Sequence, residues 1–295
     1  MRKCMSTYVT VINGRFVDEK DAQVSVLDHG FLFGDSIYEV VRTVQGKLFG
    51  ARQHLKRLHA SADALGLRLP LMDEQFIDLL REMHRRKPGS ESYLRVIVTR
   101  GVGELDLHPA SCTSPTVIGI AKPLPQWPAE SYSRGAKVIL AGVRRNPKNA
   151  TDPAIKSGNY LNNVLAIVEA RAAGAAEAVM LNVQGHVTEC TTSNVFMVQG
   201  GELHTPDLGE GLLAGVTRSF VLELARKLSL RCHERAISAS ELLAADEVFI
   251  TSSTRDIMPV AAIGDMALRH SPGPVTKRLM EAFKTVLLDP SNLIA

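Results

Sequence analysis

Lys156 stands in a setting that suits nucleophilic chemistry. Its segment reads Thr151-Asp152-Pro153-Ala154-Ile155-Lys156-Ser157-Gly158-Asn159-Tyr160-Leu161-Asn162-Asn163. Asp152-Pro153 favours an extended approach, because proline clashes with helical geometry in the residue before it. After Gly158, the apolar Leu161, Val164, Leu165 and Val168 recur at helical spacing, which predicts a buried helix that Gly174 stops. Lys156 then falls just ahead of the helix, with Ala154 and Ile155 as apolar neighbours. Such neighbours disfavour an ammonium and so favour the nucleophilic amine. A second candidate is Glu189, in His186-Val187-Thr188-Glu189-Cys190-Thr191-Thr192-Ser193-Asn194-Val195-Phe196. Strand alternation places it on the face of Val187, and a carboxylate there needs a cationic partner.

Other residues could hold anions. Arg52 lies in the first turn of a helix opening at Gly50, where the helix dipole disfavours a cation unless an anion compensates. Tyr93 and Arg95 share one face of an alternating strand with Ile97, opposite Leu94, Val96 and Val98. Gly211-Leu212-Leu213-Ala214-Gly215-Val216-Thr217-Arg218 precedes a helix with Phe220, Val221, Leu224 and Leu228 inward; a glycine before a helix start frees N–H groups for an anion, and Thr217 adds a hydroxyl. Ser253 and Thr254 close a strand running from Glu247.

The elements between them follow from period and punctuation. Asn13-Gly14 predicts a hairpin turn within residues 10–17. Gly30 and Gly34 bracket an apolar run that reads as a buried turn, followed by a strand from Ile37 to Val44. Leu55, Leu58, Ala62 and Leu65 mark a helix, and Phe76, Leu79, Leu80 and Met83 mark another over Asp73 to Arg86. Strands follow at Thr116–Ala121, Lys137–Val143 and Ala178–Val183. Pro274 suits the first turn of a last helix. Three prolines and Trp127 lie in residues 122–130, so a domain of residues 1–121, a connecting loop 122–134 and a domain 135–295 with the lysine are expected.

Composition narrows the class. The chain has 295 residues, 45% hydrophobic and 22% charged, with net charge +3, which is globular and too mild for nucleic-acid binding. Met1 to Thr7 lacks the apolar core of a signal segment, and no stretch has transmembrane length. Cys4, Cys112, Cys190 and Cys232 are scattered, and neither they nor the histidines have metal-ligand spacing. A cytoplasmic, metal-free protein is the expectation.

Lys156-Ser157-Gly158-Asn159-Tyr160-Leu161-Asn162-Asn163 and the Thr188-Glu189…Ser193-Asn194-Val195-Phe196 string resemble segments of the fold-type-IV pyridoxal-phosphate enzymes. The resemblance covers nearly the whole chain. It is closest to branched-chain amino acid aminotransferases, with D-amino-acid aminotransferases next. It implies an α/β (α+β) two-domain fold, with the active site at the domain and dimer interface, and a homodimer. Lys156 would carry pyridoxal 5'-phosphate as a Schiff base and Glu189 would hold its ring nitrogen. Tyr160 would bond the ring O3′, and Arg52, Val216, Thr217, Ser253 and Thr254 would hold the phosphate. Phe33 and Tyr38 would wall the side-chain pocket, for which core packing is the alternative. Tyr93, Arg95 and the chain at Arg255 would meet substrate. The implied reaction moves an amino group between a branched-chain amino acid and a 2-oxo acid such as 2-oxoglutarate. The D-amino-acid reading stays open, although Leu105 and Leu107 stand where the familiar bacterial type carries an Arg-x-His trap. An aminodeoxychorismate lyase fits less well, because Glu39 and Val40 stand where that family has threonines.

Overall fold

The computed structural model describes residues 8–87 and 89–295; Cys4, the rest of the Met1–Thr7 start and Pro88 lie outside the described residues. The chain divides into two compact units. The first takes residues 1–125, 155–159 and 287–295, and the second takes 126–154 and 160–286.

The first unit contains β1 (Val9–Ile12), β2 (Arg15–Val17), α1 (His29–Phe33), β3 (Ser36–Val44), β4 (Lys47–Phe49), α2 (Ala51–Ala64), α3 (Asp73–Arg86), β5 (Ser92–Thr99) and β6 (Thr116–Pro123). Its sheet runs β4-β3-β5-β6-β1-β2, all antiparallel. Asn13 and Gly14 take positive φ of 49° and 77°, the turn that joins β1 to β2. One face of β3 and β5 buries Ile37, Val41, Leu94, Val96 and Val98 in a core with Leu55 and Leu58 of α2 and Phe76, Ile77, Leu80 and Met83 of α3. The opposite face carries half-buried Val40, Arg42, Tyr93, Arg95 and Ile97.

The apolar run at Gly30–Gly34 is a helix, not a buried turn. Buried Asp28 caps α1 by accepting from the Gly30 N–H at 2.8 Å, and its other oxygen accepts from Thr99 and Thr116 hydroxyls at 2.9 and 2.8 Å. Phe31 and Phe33 point outward, 70% and 36% exposed.

The second unit contains α4 (Ala129–Ser133), β7 (Ala136–Arg144), α5 (Leu161–Ala172), β8 (Glu177–Leu181), β9 (Val187–Cys190), β10 (Asn194–Gln199), β11 (Glu202–Thr205), α6 (Val216–Lys227), β12 (Cys232–Glu234), α7 (Ala239–Leu243), β13 (Glu247–Ser252), β14 (Asp256–Ile263), β15 (Met266–Ala267) and most of α8 (Pro274–Leu288). Its sheet runs β12-β11-β10-β13-β14-β7-β8-β9, with β15 paired to β14. Strands β8 and β9 and all but the last residue of β10 are buried throughout, so the alternation expected around Glu189 is absent. The chain ends in β16 (Leu293–Ile294), which adds to the edge of β4 in the first unit.

Two expectations about the lysine segment are corrected. Residues 155–159 group with the first unit, because β3 holds them: the Tyr38 N–H donates to the Lys156 carbonyl at 2.9 Å, and the Gly158 N–H to the Ser36 carbonyl at 2.8 Å. The apolar stripe of α5 is not its buried face. Leu161, Val164, Leu165 and Val168 are 72, 47, 50 and 61% exposed. The helix instead packs through Ala166 and Ala170 onto Ala141, Ala178 and Met180. Small residues let it lie close on the sheet.

Among the described residues, no helix is long and apolar enough to cross a membrane.

Candidate active site

In the first unit, a lysine, a tyrosine and an arginine share one ring. Lys156 is half-buried, with Nζ 3.4 Å from Tyr38 Oη and 4.5 Å from the ring centroid. The Arg95 guanidinium lies 4.0 Å from the same centroid. Arg95 sits opposite Val40, and Tyr38 opposite Ile97, so strand register brings the two side chains to one face. Arg95 Nε is buried without a hydrogen-bond partner among the described residues. Tyr93 is next on that face, two residues from Arg95, with Lys122 Nζ 4.9 Å from its ring centroid.

Below Lys156, α2 supplies a charged cluster. The Lys156 N–H donates to Ser61 Oγ at 3.1 Å. On the same side of α2, four and seven residues before Ser61, stand Arg57 and His54. Arg57 donates from Nε to Glu39 Oε1 at 2.6 Å and from Nη2 to Oε2 at 2.8 Å. His54 Nδ1 lies 2.7 Å from Glu39 Oε2. Burial alone would raise the Glu39 carboxyl, but the Arg57 guanidinium and His54 hold it well below the usual carboxylate range. Burial pushes the His54 ring down, against the pull of Glu39; facing a carboxylate, its Nδ1 carries the hydrogen and donates.

Arg52 does not join this cluster. Its side chain is 70% exposed and pairs with Glu74 at 3.8 Å, on the other side of the helix. The cation on the Lys156 side of α2 is Arg57. Its signal was present: Glu39 alternates with core residues Ile37 and Val41, and His54 and Arg57 fall among Leu55 and Leu58. Phe33 makes its ring contact edge-to-face with His29, at 4.9 Å, and not with Tyr38 or Lys156.

In the second unit, Glu189 is buried on β9 and already has a cation. Its Oε1 accepts from Arg145 Nε at 3.0 Å and its Oε2 from the Leu213 N–H at 3.0 Å. Leu213 precedes α6, whose first residues, Val216 and Thr217, are buried. Asn194 Nδ2 donates to the Leu213 carbonyl at 2.8 Å, and a Cβ at Gly215 would collide with Asn194 Oδ1. The loop therefore approaches the helix start as only glycine permits. Tyr160 is the half-buried cap of α5.

Ser253 and Thr254 form the turn between β13 and β14 and are half-buried. The interdomain segment fastens this turn: Trp127 Nε1 donates to the Thr254 carbonyl at 2.9 Å, and the Tyr132 hydroxyl to the Arg255 carbonyl at 3.1 Å. The Arg255 side chain is turned inward. It donates to Thr192 Oγ1 at 2.8 Å and Ser193 Oγ at 2.9 Å, lies 3.4 Å from fully buried Glu177, and stacks at 4.3 Å on Trp127. Its guanidinium is held by these partners, and its N–H donates to the Ser252 carbonyl at 3.2 Å.

The class IV amino-transferase family model matches residues 36–263. A protein of Methanocaldococcus jannaschii, provisionally named branched-chain-amino-acid aminotransferase, is 41% identical over 93% of this chain and 95% of its own. D-alanine aminotransferase of Bacillus licheniformis is 33% identical over 94% and 96%. The crystal structure of Escherichia coli branched-chain amino acid aminotransferase superposes with a TM-score of 0.92 at 29% identity, covering 97% of this chain and 98% of that one. A second branched-chain amino acid aminotransferase, solved with pyridoxamine 5'-phosphate, superposes at 0.88 and 30% identity, covering 95% and 93%.

The donors present suit that cofactor. A phosphorylated pyridine aldehyde needs a primary amine, an acid for its ring nitrogen and an anion cradle. Lys156 is a half-buried amine. The Glu189 oxygens each accept one bond here, and a carboxylate offers about four sites in all. Among the described residues no side chain caps the start of α6, whose first-turn N–H groups follow a glycine with no room for a Cβ. With a family model spanning most of its length and relatives matched over nearly all of theirs, the chain belongs to the class IV aminotransferases, which work with pyridoxal phosphate.

Proposed function

We propose that this chain transfers the amino group of a branched-chain or similar apolar amino acid to a 2-oxo acid such as 2-oxoglutarate. The observation that carries this is the Tyr38 ring, bordered by Lys156 Nζ and by the Arg95 guanidinium at 4.0 Å. An aromatic wall suits an apolar side chain. A half-buried guanidinium with a buried, unpartnered Nε suits the second carboxylate of 2-oxoglutarate.

Bound cofactor supplies the electron sink for the bond broken at Cα. The protein's residues do the rest. Lys156 Nζ takes the Cα proton and returns it. Glu189 receives the ring nitrogen, and Tyr160 bonds the ring hydroxyl. Val216, Thr217, Ser253 and Thr254 take the phosphate, with Arg57 replacing Arg52 as the cation. Tyr93, with backbone at Thr254 and Arg255, takes the substrate carboxylate. The protein works as a homodimer, since the exposed stripe of α5 is the kind of apolar surface that a second copy covers. Cys112, Cys190 and Cys232 are free thiols, which supports a cytoplasmic location.

The 33% identity to a D-alanine aminotransferase keeps one rival. A panel of L- and D-amino donors with 2-oxoglutarate and pyruvate decides between them. Fastest turnover of L-leucine, L-isoleucine or L-valine with 2-oxoglutarate is expected. Preference for D-alanine would reject the branched-chain reading.

A further inference from the structure

The second unit buries a cation that none of these roles uses. Arg145 follows β7 directly and is 8% exposed. Its Nε donates to Glu189 Oε1 at 3.0 Å, and its Nη1 to Asn162 Oδ1 at 3.1 Å. Asn162 Oδ1 also accepts from the Asn146 N–H at 3.3 Å, and its Nδ2 donates to the Arg144 carbonyl at 2.8 Å. One side chain from the first turn of α5 thus grips the backbone on both sides of Arg145 together with its guanidinium. The Arg145 N–H in turn donates to the Leu181 carbonyl at 2.8 Å, which fixes its start against the end of β8.

We infer that Arg145 is a positioning residue for Glu189: held by Asn162, it fixes the carboxylate's rotamer and balances its charge before any cofactor arrives. This rests on the reading that Glu189 receives the ring nitrogen. The physical need is plain. A carboxylate 8% exposed is costly to bury without a cation. A glutamate with one held oxygen could still swivel. Here Oε1 is held by Arg145 and Oε2 by the Leu213 N–H, so its plane is set from both ends. Arg145 meets Glu189 through Nε alone, while the other oxygen, Oε2, takes the Leu213 N–H. The guanidinium therefore does not clamp both oxygens, and acceptor sites remain for a third donor.

The test is a double-mutant cycle on the full-length protein. Apoprotein of the wild type, Arg145→Met, Glu189→Gln and the double variant is titrated with pyridoxal phosphate by absorbance. The single-turnover rate with L-leucine is measured on the loaded forms. Arg145→Met alone should weaken cofactor binding and slow the single turnover by about tenfold each, as for loss of a charged hydrogen bond. Added to Glu189→Gln, it should change either by less than about twofold, because its effect passes through Glu189. Equal losses in both backgrounds would make Arg145 a structural residue and overturn the inference. If Glu189→Gln alone changes neither quantity, the reading of Glu189 falls and the inference with it. Should Arg145→Met not fold by circular dichroism, Arg145→Lys and Asn162→Ala carry the same cycle. Their losses should likewise vanish in the Glu189→Gln background, and persistence there would overturn the proposal.

Discussion

Replacing Arg57 by methionine removes two hydrogen bonds, at 2.6 and 2.8 Å, from a carboxylate whose side chain is 4% exposed. His54 and the Val40 N–H, at 3.3 Å, remain on Glu39, and burial pushes the His54 ring down. Removing one partner of a buried ion pair costs about 3–5 kcal/mol, because the other charge is left uncompensated. The structure also fixes the pH dependence. In the wild type the Glu39 carboxyl lies well below its ordinary 4.5, so its stabilisation is complete above 4.5 and is lost only as pH falls through the folded value. In Arg57→Met the main lowering partner is gone and burial raises the carboxyl, so the folded variant takes up a proton. Protonating a group of ordinary value 4.5 costs about 3.4 kcal/mol at pH 7 and about 0.7 at pH 5. The destabilisation should therefore shrink by roughly 2–3 kcal/mol between pH 7 and pH 5. Arg57 also helps to hold the His54 ring down, so in the variant that ring takes a proton more readily, which works in the same direction. Urea unfolding of apoprotein, followed by circular dichroism at both pH values, measures this. A loss that does not change with pH, or one under about 1 kcal/mol, would refute the assignment of Arg57 as the counter-charge. Glu39→Gln added to Arg57→Met should recover most of the loss, since no charge is then left to strand.

Three further outcomes follow from the candidate site. Lys156→Ala should abolish turnover while circular dichroism stays native; borohydride reduction of the loaded wild type should label Lys156, and a label on another lysine would end the assignment. Arg95→Met should raise KM for 2-oxoglutarate by about tenfold or more and affect the leucine half-reaction much less, as stopped-flow of each half-reaction would show. Equal losses would make Arg95 structural. Leu165→Glu on the exposed stripe of α5 should split the proposed homodimer in analytical ultracentrifugation, since a buried unpaired charge there opposes association.

What the sequence told depended on the range over which each feature is decided. Period two on β5 set Leu94, Val96 and Val98 against Tyr93, Arg95 and Ile97, and burial follows that alternation. The extent of α3, Asp73 to Arg86, was equally readable around the period of Phe76, Leu79, Leu80 and Met83. Features closed by distant partners were not. The capping of α1 needs Thr99 and Thr116, brought together by β5 and β6, so an apolar run between glycines could not announce a helix. The carboxylate of Glu189 did need a cation, but the one present is Arg145, 44 residues away and unmarked by any motif.

Helix α5 shows the deeper reason. Helical period reports that Leu161, Val164, Leu165 and Val168 form a stripe, and it says nothing about what the stripe faces. Within this chain, β7 and β8 are served by Ala166 and Ala170, because small residues allow the closest approach of helix to sheet. The larger apolar residues are then left exposed. Arg57 teaches the same point with charge. Dipole reasoning singles out Arg52 from its place in the first turn, yet Arg52 reaches water, where the dipole is weakly felt. Arg57 faces the core, and there its charge is decided by Glu39 on a strand 18 residues earlier. A charged residue on an apolar helix face therefore directs attention to the neighbouring strand's core-facing positions. In this chain Glu39, between Ile37 and Val41, is the acid that such a search finds.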